Sequence, residues 1–284
     1  MTWTSVFPKM RLQQSELPRY SHRTGHSYQL LKVLYLYLFS LVLIGCQYQT
    51  VGKEAVDTST EKAIAYLHHE YNPTVGLIRE SPETAPDKHW LMTDNWLAAI
   101  ALDRVNDTEF AAHIYTTLEP YEQLHHGLIE AIVGADIAWP PRTPFQEEVK
   151  PGIWLETRNQ NIMEDWSTYA DLALYRALDL HNEGRSAESR QQYNAAIQQF
   201  DGVGFADQAF DNRYATYKLA LAIYVGGTIG APIDQEIVTA LLSKQHQDSG
   251  GFSALYDETG KPIGDSNTET TAYALLALSL LQQK

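Results

Sequence analysis

Two kinds of helical pattern alternate along this chain. In the first, apolar residues keep to one stripe: around Ile64 and Leu67 they recur at helical spacing, with Lys62 and Glu70 off the stripe. In the second, the segment is apolar nearly all round and rich in alanine: "LAAIAL" from Leu97, "ADLALYRAL" from Ala170, "YKLALAIY" from Tyr217 and "AYALLALSLL" from Ala272. An amphipathic helix covers a core with one face, whereas a helix apolar on every side belongs inside it. Small side chains also let neighbouring backbones approach. The pattern therefore predicts outer and inner helices in alternation.

The alternation repeats. "LHHEYNPTVGL" from Leu67 and "LSKQHQDSGGF" from Leu242 both place a glycine nine residues after a leucine and follow it with an apolar residue. A loop and an inner helix come next, from Asp94 in the first copy and from Thr270 in the last. Two looser copies run from Leu118 to Gly127-Leu128, and from Ala195 to Gly204-Phe205. The glycine suits the left-handed conformation that ends many helices. The expected unit is helix, glycine turn, loop, helix, stacked as a hairpin array.

The last copy, "QHQDSGGFSALYDETGKPIGDSNTETTAYALLAL", resembles the repeat of the α/α-toroid superfamily, to which terpenoid cyclases and protein prenyltransferases belong. In that repeat a glutamine precedes a Gly-Gly-Phe turn, and the next helix opens on threonine and alanine. The resemblance implies an all-α fold, a toroid-like array of about four helical hairpins, open or partial, with inner helices lining a central cavity. It does not carry over terpene chemistry, because the aspartate-rich motifs of the cyclases and the zinc ligands of the prenyltransferases are missing.

A different pattern opens the chain. Lys9, Arg11, Arg19, Arg23 and Lys32 stand against one acid, Glu16, and the uncharged run "VLYLYLFSLVLIG" follows, ending at Cys46. Thirteen residues are too few to span a bilayer, which takes roughly 20. They suit the apolar segment of a secretory signal, with Met10 as an alternative start. Leu43-Ile44-Gly45-Cys46 resembles the lipobox of bacterial lipoproteins. That resemblance implies cleavage before Cys46 and lipidation of its thiol, so that a lipid bilayer is a partner. It also implies an extracytoplasmic protein of the cell envelope, at the outer membrane where there is one. The expected organisation is a signal over 1–45, a tether over 46–57 and the helical domain over 58–284.

Cys46 is the only cysteine, which leaves no disulfide framework and no cysteine-rich metal site. The formal charge of -14 argues against nucleic acid, whose binding requires phosphates to be neutralised by Lys and Arg. His68-His69 and His125-His126 are poor metal ligands, since adjacent residues on a helix point about 100° apart and no His-Glu-x-x-His pattern occurs. No metal and no cofactor is expected.

In a hairpin array the starts of the inner helices meet at one rim. They are Thr93-Asp94-Asn95-Trp96, Glu164-Asp165-Trp166 with Tyr169, Asp211-Asn212-Arg213-Tyr214, and Thr268-Glu269-Thr270. Acids and amides there serve as helix caps, but capping requires neither the adjoining aromatics nor Arg79-Glu80. Rings beside carboxylates suit a sugar, stacking on its faces and bonding its hydroxyls. Asp94 and Asp165, each near a tryptophan, are the expected catalytic pair. Arg79, Glu80, Asn95, Trp96, Glu164, Trp166, Tyr169, Arg213 and Tyr214 are the expected substrate contacts, with Arg79 holding an anionic group. The insertion Glu130–Met163, carrying Trp139, Pro140, Pro141, Pro144, Pro151 and Trp154-Leu155-Glu156, reads as a lid or substrate wall. Three functions remain open: an enzyme acting on a glycan, a glycan- or protein-binding lipoprotein without catalysis, and a purely structural one.

Overall fold

A computed structural model of the chain describes residues 51–81, 89–121, 126–206 and 213–283. Cys46, the leader, His125, Asp211 and Asn212 lie outside the described residues. The described chain is mixed α/β, with eight helices and eight strands in three sheets, 52% helical and 18% strand. The all-α expectation is therefore wrong, and with it the array built of helical hairpins alone.

The helices are α1 (Lys53–His69), α2 (Met92–Arg104), α3 (Thr108–Leu118), α4 (Ala170–Asn182), α5 (Ser186–Ile197), α6 (Thr216–Thr228), α7 (Gln235–Leu242) and α8 (Thr268–Gln282). Helix α1 begins inside the segment read as a tether. Burial divides the helices as their patterns require. Leu97, Ala98, Ala99, Ala101 and Leu102 of α2 are sealed, as are Leu219 to Leu221 of α6 and Ala274 to Leu278 of α8. By contrast α5 buries only Ser189, Tyr193 and Ala196. The apolar helices pack in the order α2, α8, α6, α4, and α1, α3, α5 and α7 lie against them from outside. No described helix is long and apolar enough to cross a membrane.

The strands occupy the connections read as loops. Tyr71–Asn72 (β1) pairs with Leu77–Ile78 (β2). Trp90–Leu91 (β3) runs parallel to Ile153–Ile162 (β5), which pairs antiparallel with Arg142–Lys150 (β4). Tyr214–Ala215 (β6), Ser253–Tyr256 (β7) and Pro262–Ser266 (β8) form the third sheet. Most of the insertion is thus the β4–β5 hairpin, turned at Pro151-Gly152, with Pro144 on the edge strand, where its missing N–H costs no ladder bond. Polar side chains at many hairpin positions hide the alternation that announces a half-buried strand.

The repeated glycines do not cap helices, since each lies several residues beyond the helix before it. Gly76 and Gly127 are left-handed, but Gly204 and Gly251 are not. Those two are glycine because of crowding. A Cβ on Gly251 would lie 2.7 Å from the Tyr66 ring and 2.6 Å from Ser266 Cβ. One on Gly204 would lie 1.9 Å from the Tyr256 hydroxyl oxygen.

This region joins the two ends of the described domain. Gln245 Nε2 donates to Ser59 O and to Gly250 O, each at 2.8 Å. Ser59 Oγ returns a bond to Gln245 Oε1 at 2.8 Å, and the Tyr66 hydroxyl donates to Ser266 O at 3.0 Å. Gly251→Ala should accordingly loosen α1 from the last turn and destabilise the fold by roughly 1–3 kcal/mol, read as a lower urea midpoint at unchanged slope.

Candidate active site

The first turns of the four apolar helices bring together a cluster of interacting polar side chains, a pit in which Glu269, Asp171, Tyr217, Glu156 and Arg158 stay partly accessible. Helix α8 supplies Glu269 and α4 supplies Asp171, each at the second helical position. Helix α6 supplies Tyr217 and Lys218 at the second and third, and α2 supplies Asp94 at the third. The segment after β2 adds Glu80, and β5 adds Glu156 and Arg158. His126 completes the set.

Asp94 does not cap α2, whose cap residue is Leu91 and whose first turn has no side-chain cap. It is buried, at 6% exposure, and bonds the Glu80 carboxyl. Glu80 Oε1 accepts from Asn267 Nδ2 at 3.0 Å, while Asn267 Oδ1 caps α8 by accepting from Thr270 N at 2.9 Å. Glu80 Oε2 and Asp94 Oδ2 are buried and have no donor among the described residues. Two carboxyl groups bond each other only through a proton, so this pair shares one.

Charge imbalance sets the state of the remaining groups. Burial raises Asp94 well above the usual carboxylate range, and the charge and hydrogen bond of Glu80, then the charges of Glu269 and Glu156, push further. Glu80 is raised by burial against the bonds from Asp94 and Asn267. Burial, then repulsion by Glu80, Glu156 and Asp171, pushes Glu269 up to about 8. Its side chain nevertheless stays partly accessible, as a group at the wall of a pit does. An ionised carboxylate would gain from the α8 dipole, but that effect is about 0.3–1 kcal/mol and loses to burial among like charges.

Glu156 goes the other way. Burial alone would raise it, but the bond and charge of His126, the amide of Gln146 and the charge of Arg158 outweigh burial and hold it down at about 2. His126 Nε2 lies 2.6 Å from Glu156 Oε1, and Gln146 Nε2 donates to Glu156 Oε2 at 3.0 Å. Arg158 Nε donates to His126 O at 2.7 Å, which fixes the guanidinium beside the pair. Opposite them, Lys218 Nζ is 2.9 Å from Asp171 Oδ1, with Lys218 1% exposed. The Tyr217 hydroxyl donates to Asp171 Oδ2 at 2.7 Å. The Tyr217 and Tyr273 rings lie 5.5 Å apart, and the hydroxyls of Tyr273 and Tyr175 bond each other. Burial and the charge of Glu269 raise both of those phenols.

Of the residues expected from sequence, the structure brings Asp94 and Glu80 into the pit and leaves most of the others elsewhere. Asp165 and Glu164 are exposed, and Asp165 precedes the short 3-10 turn Trp166–Thr168. Trp166 packs edge-on against Trp139, with ring centroids 4.7 Å apart. Asn95 is fully buried and spent on backbone, accepting from Ile78 N at 2.7 Å and donating to Ile78 O and Leu91 O at 2.9 Å. Trp96 packs on Tyr115. The Tyr214 hydroxyl donates to Asp201 at 2.7 Å and its ring stacks on Tyr256, while Arg213 is exposed. Tyr169 lies near Lys218, whose Nζ is 5.9 Å from its ring centre. Arg79 turns to a different cleft.

Asp171, Lys218, Tyr217, Glu156, Arg158 and His126 were not expected as site residues. The signal for the first three is position: counted from the start of each alanine-rich helix, a polar group recurs at the second or third place. Ranking by a neighbouring tryptophan hides that. No cluster of metal-ligating residues occurs among the described residues. Comparison with known proteins gave no matching family, no similar characterised sequence and no similar solved structure.

Proposed function

We propose that the protein is an enzyme that hydrolyses a glycosidic bond by general acid–base catalysis. The observation that supports this reading is the separation of two carboxyl groups in one pit. Glu269 keeps its proton through neutral pH and Glu156 stays ionised. Hydrolysis of a glycoside uses such a pair. Glu269 delivers its proton to the leaving oxygen as the C–O bond breaks. Glu156 takes a proton from the water whose oxygen attacks the anomeric carbon. Arg158 and His126 keep Glu156 charged, and the partly exposed ring of Tyr217, backed by the buried ring of Tyr273, supplies stacking surface. In this reading Glu80 acts through repulsion on Glu269, as a positioning residue, and Asp94 acts through its bond to Glu80. The site at the envelope rests on the leader and Cys46, which are read from sequence.

The test is a screen of the full-length protein against polysaccharides and oligosaccharides, following new reducing ends, with Glu269→Gln run beside it. Release from one glycan class, lost in the variant, is the expected result. Saturable binding without release would support a glycan-binding protein instead, and neither binding nor release would remove carbohydrate from consideration.

A further inference from the structure

A second site lies in the cleft between the end of α1, β1 and the start of β3. Its walls include Arg79, Trp90, His69, His89, Glu70 and Tyr71. Arg79 follows β2, and its N–H bonds Glu70 O at 3.0 Å, continuing the short β1–β2 ladder. In an extended segment successive side chains point to opposite faces. Glu80 therefore enters the carboxyl pit while Arg79 points away from it.

Arg79 forms no ion pair among the described residues, and its buried Nε has no hydrogen-bond acceptor. The buried indole N–H of Trp90, in the same cleft, has none either. An unsatisfied buried donor costs about 1–3 kcal/mol, and more when charged. Two in one cleft, one on a guanidinium, are a cost that a bound acceptor removes. Glu70, the one acid among the described wall residues, does not supply it, because its Oε1 leans towards His69, at 4.0 Å from Nε2.

The geometry points to an oxyanion-binding site, in which Arg79 and Trp90 hold a carboxylate, phosphate or sulfate group by charge-assisted hydrogen bonds. A guanidinium offers its N–H groups in a planar fork that matches such oxygens, and an indole donates one N–H and accepts nothing. His69 and His89 add further donors at the mouth. This site stands apart from the carboxyl pit and does not depend on the proposed hydrolysis.

The test uses full-length protein with 15N-labelled tryptophan, the Trp90 indole signal being assigned by its loss in Trp90→Phe. Glucuronate, inorganic phosphate and inorganic sulfate are titrated separately, with sodium chloride as the ionic-strength control. A saturable shift of the Trp90 signal is expected with at least one oxyanion, and the tightest of the three identifies the group. Arg79→Gln should weaken that binding at least tenfold with the other indole signals unmoved, and Glu70→Gln should leave it intact or tighten it. Arg79→Lys, which keeps the charge and loses the fork, serves if the glutamine variant fails to fold, and it too should bind more weakly. Shifts no larger than those with chloride, or the same shift in the Arg79 variant as in the wild type, would overturn the proposal.

Discussion

Glu269→Gln is expected to remove nearly all glycan turnover while leaving the protein folded. The amide keeps the size of the side chain and cannot release a proton. General acid catalysis typically contributes 10²–10⁴-fold, so kcat/KM should fall by about that factor on any substrate with a poor leaving group. A substrate with a good leaving group, such as an aryl glycoside, needs less protonation and should lose less. Glu156→Gln removes the opposite partner and should slow both substrates about equally. The wild-type rate should decline as pH rises through about 8, where Glu269 gives up its proton. If the two variants respond alike to leaving group, or if turnover survives Glu269→Gln, the assignment of acid and base is wrong.

The stability of the folded protein should peak in mildly acidic solution and fall toward neutrality and above. The reason is linkage between protonation and folding. Folded Glu269 binds its proton more tightly than an unfolded glutamate, whose ordinary value is 4.5. That contribution is complete below pH 4.5 and is lost as pH climbs to about 8, at up to about 5 kcal/mol. Asp94 is raised in the same sense. Glu156 opposes them, since its folded value of about 2 gives a contribution present above 4.5 and lost as pH falls toward 2, at up to about 3 kcal/mol. Urea midpoints measured from pH 3 to pH 9 should trace this dome. Glu269→Gln should flatten its alkaline side and raise stability above pH 8, and Glu156→Gln should flatten the acid side. Stability rising steadily from pH 5 to pH 8 would show that these carboxyl groups are not held protonated.

The two variants also separate a catalytic pit from a structural one. A buried carboxyl cluster kept only for packing would gain stability from Glu269→Gln and lose nothing else. A working acid shows the same gain in stability together with the loss of turnover. The joint readout matters because clusters of like charge are costly and persist where they do something.

What the sequence determined by itself is the division of the helices. Hydrophobic periodicity is local, so "LAAIAL" and "AYALLALSLL" announce sealed helices, and the stripe around Ile64 and Leu67 announces a covering one, before any contact is known. The starts of the sealed helices were likewise legible as the place where polar groups gather, and Asp94 and Glu80 do meet there. The strands were not legible. β1, β2, β3 and β6 are two residues long, too short for an alternation; β1 and β2 complete each other across a short turn, and β3 and β6 exist because a partner distant in sequence completes their ladder. The β4–β5 hairpin is long but polar at many positions, so nothing in its pattern marks a buried face.

The identity of the paired carboxyl groups was also decided only in three dimensions. Glu156 arrives from the hairpin and Glu269 from the last helix, 113 positions apart in the numbering. What distinguishes them from Asp165 is burial and the charge beside each: His126 and Arg158 for one, and Glu80 and Asp171 around the other. A sequence states which groups can ionise. Where they are buried, and beside what, fixes which of them do, and that is a property of the packed chain.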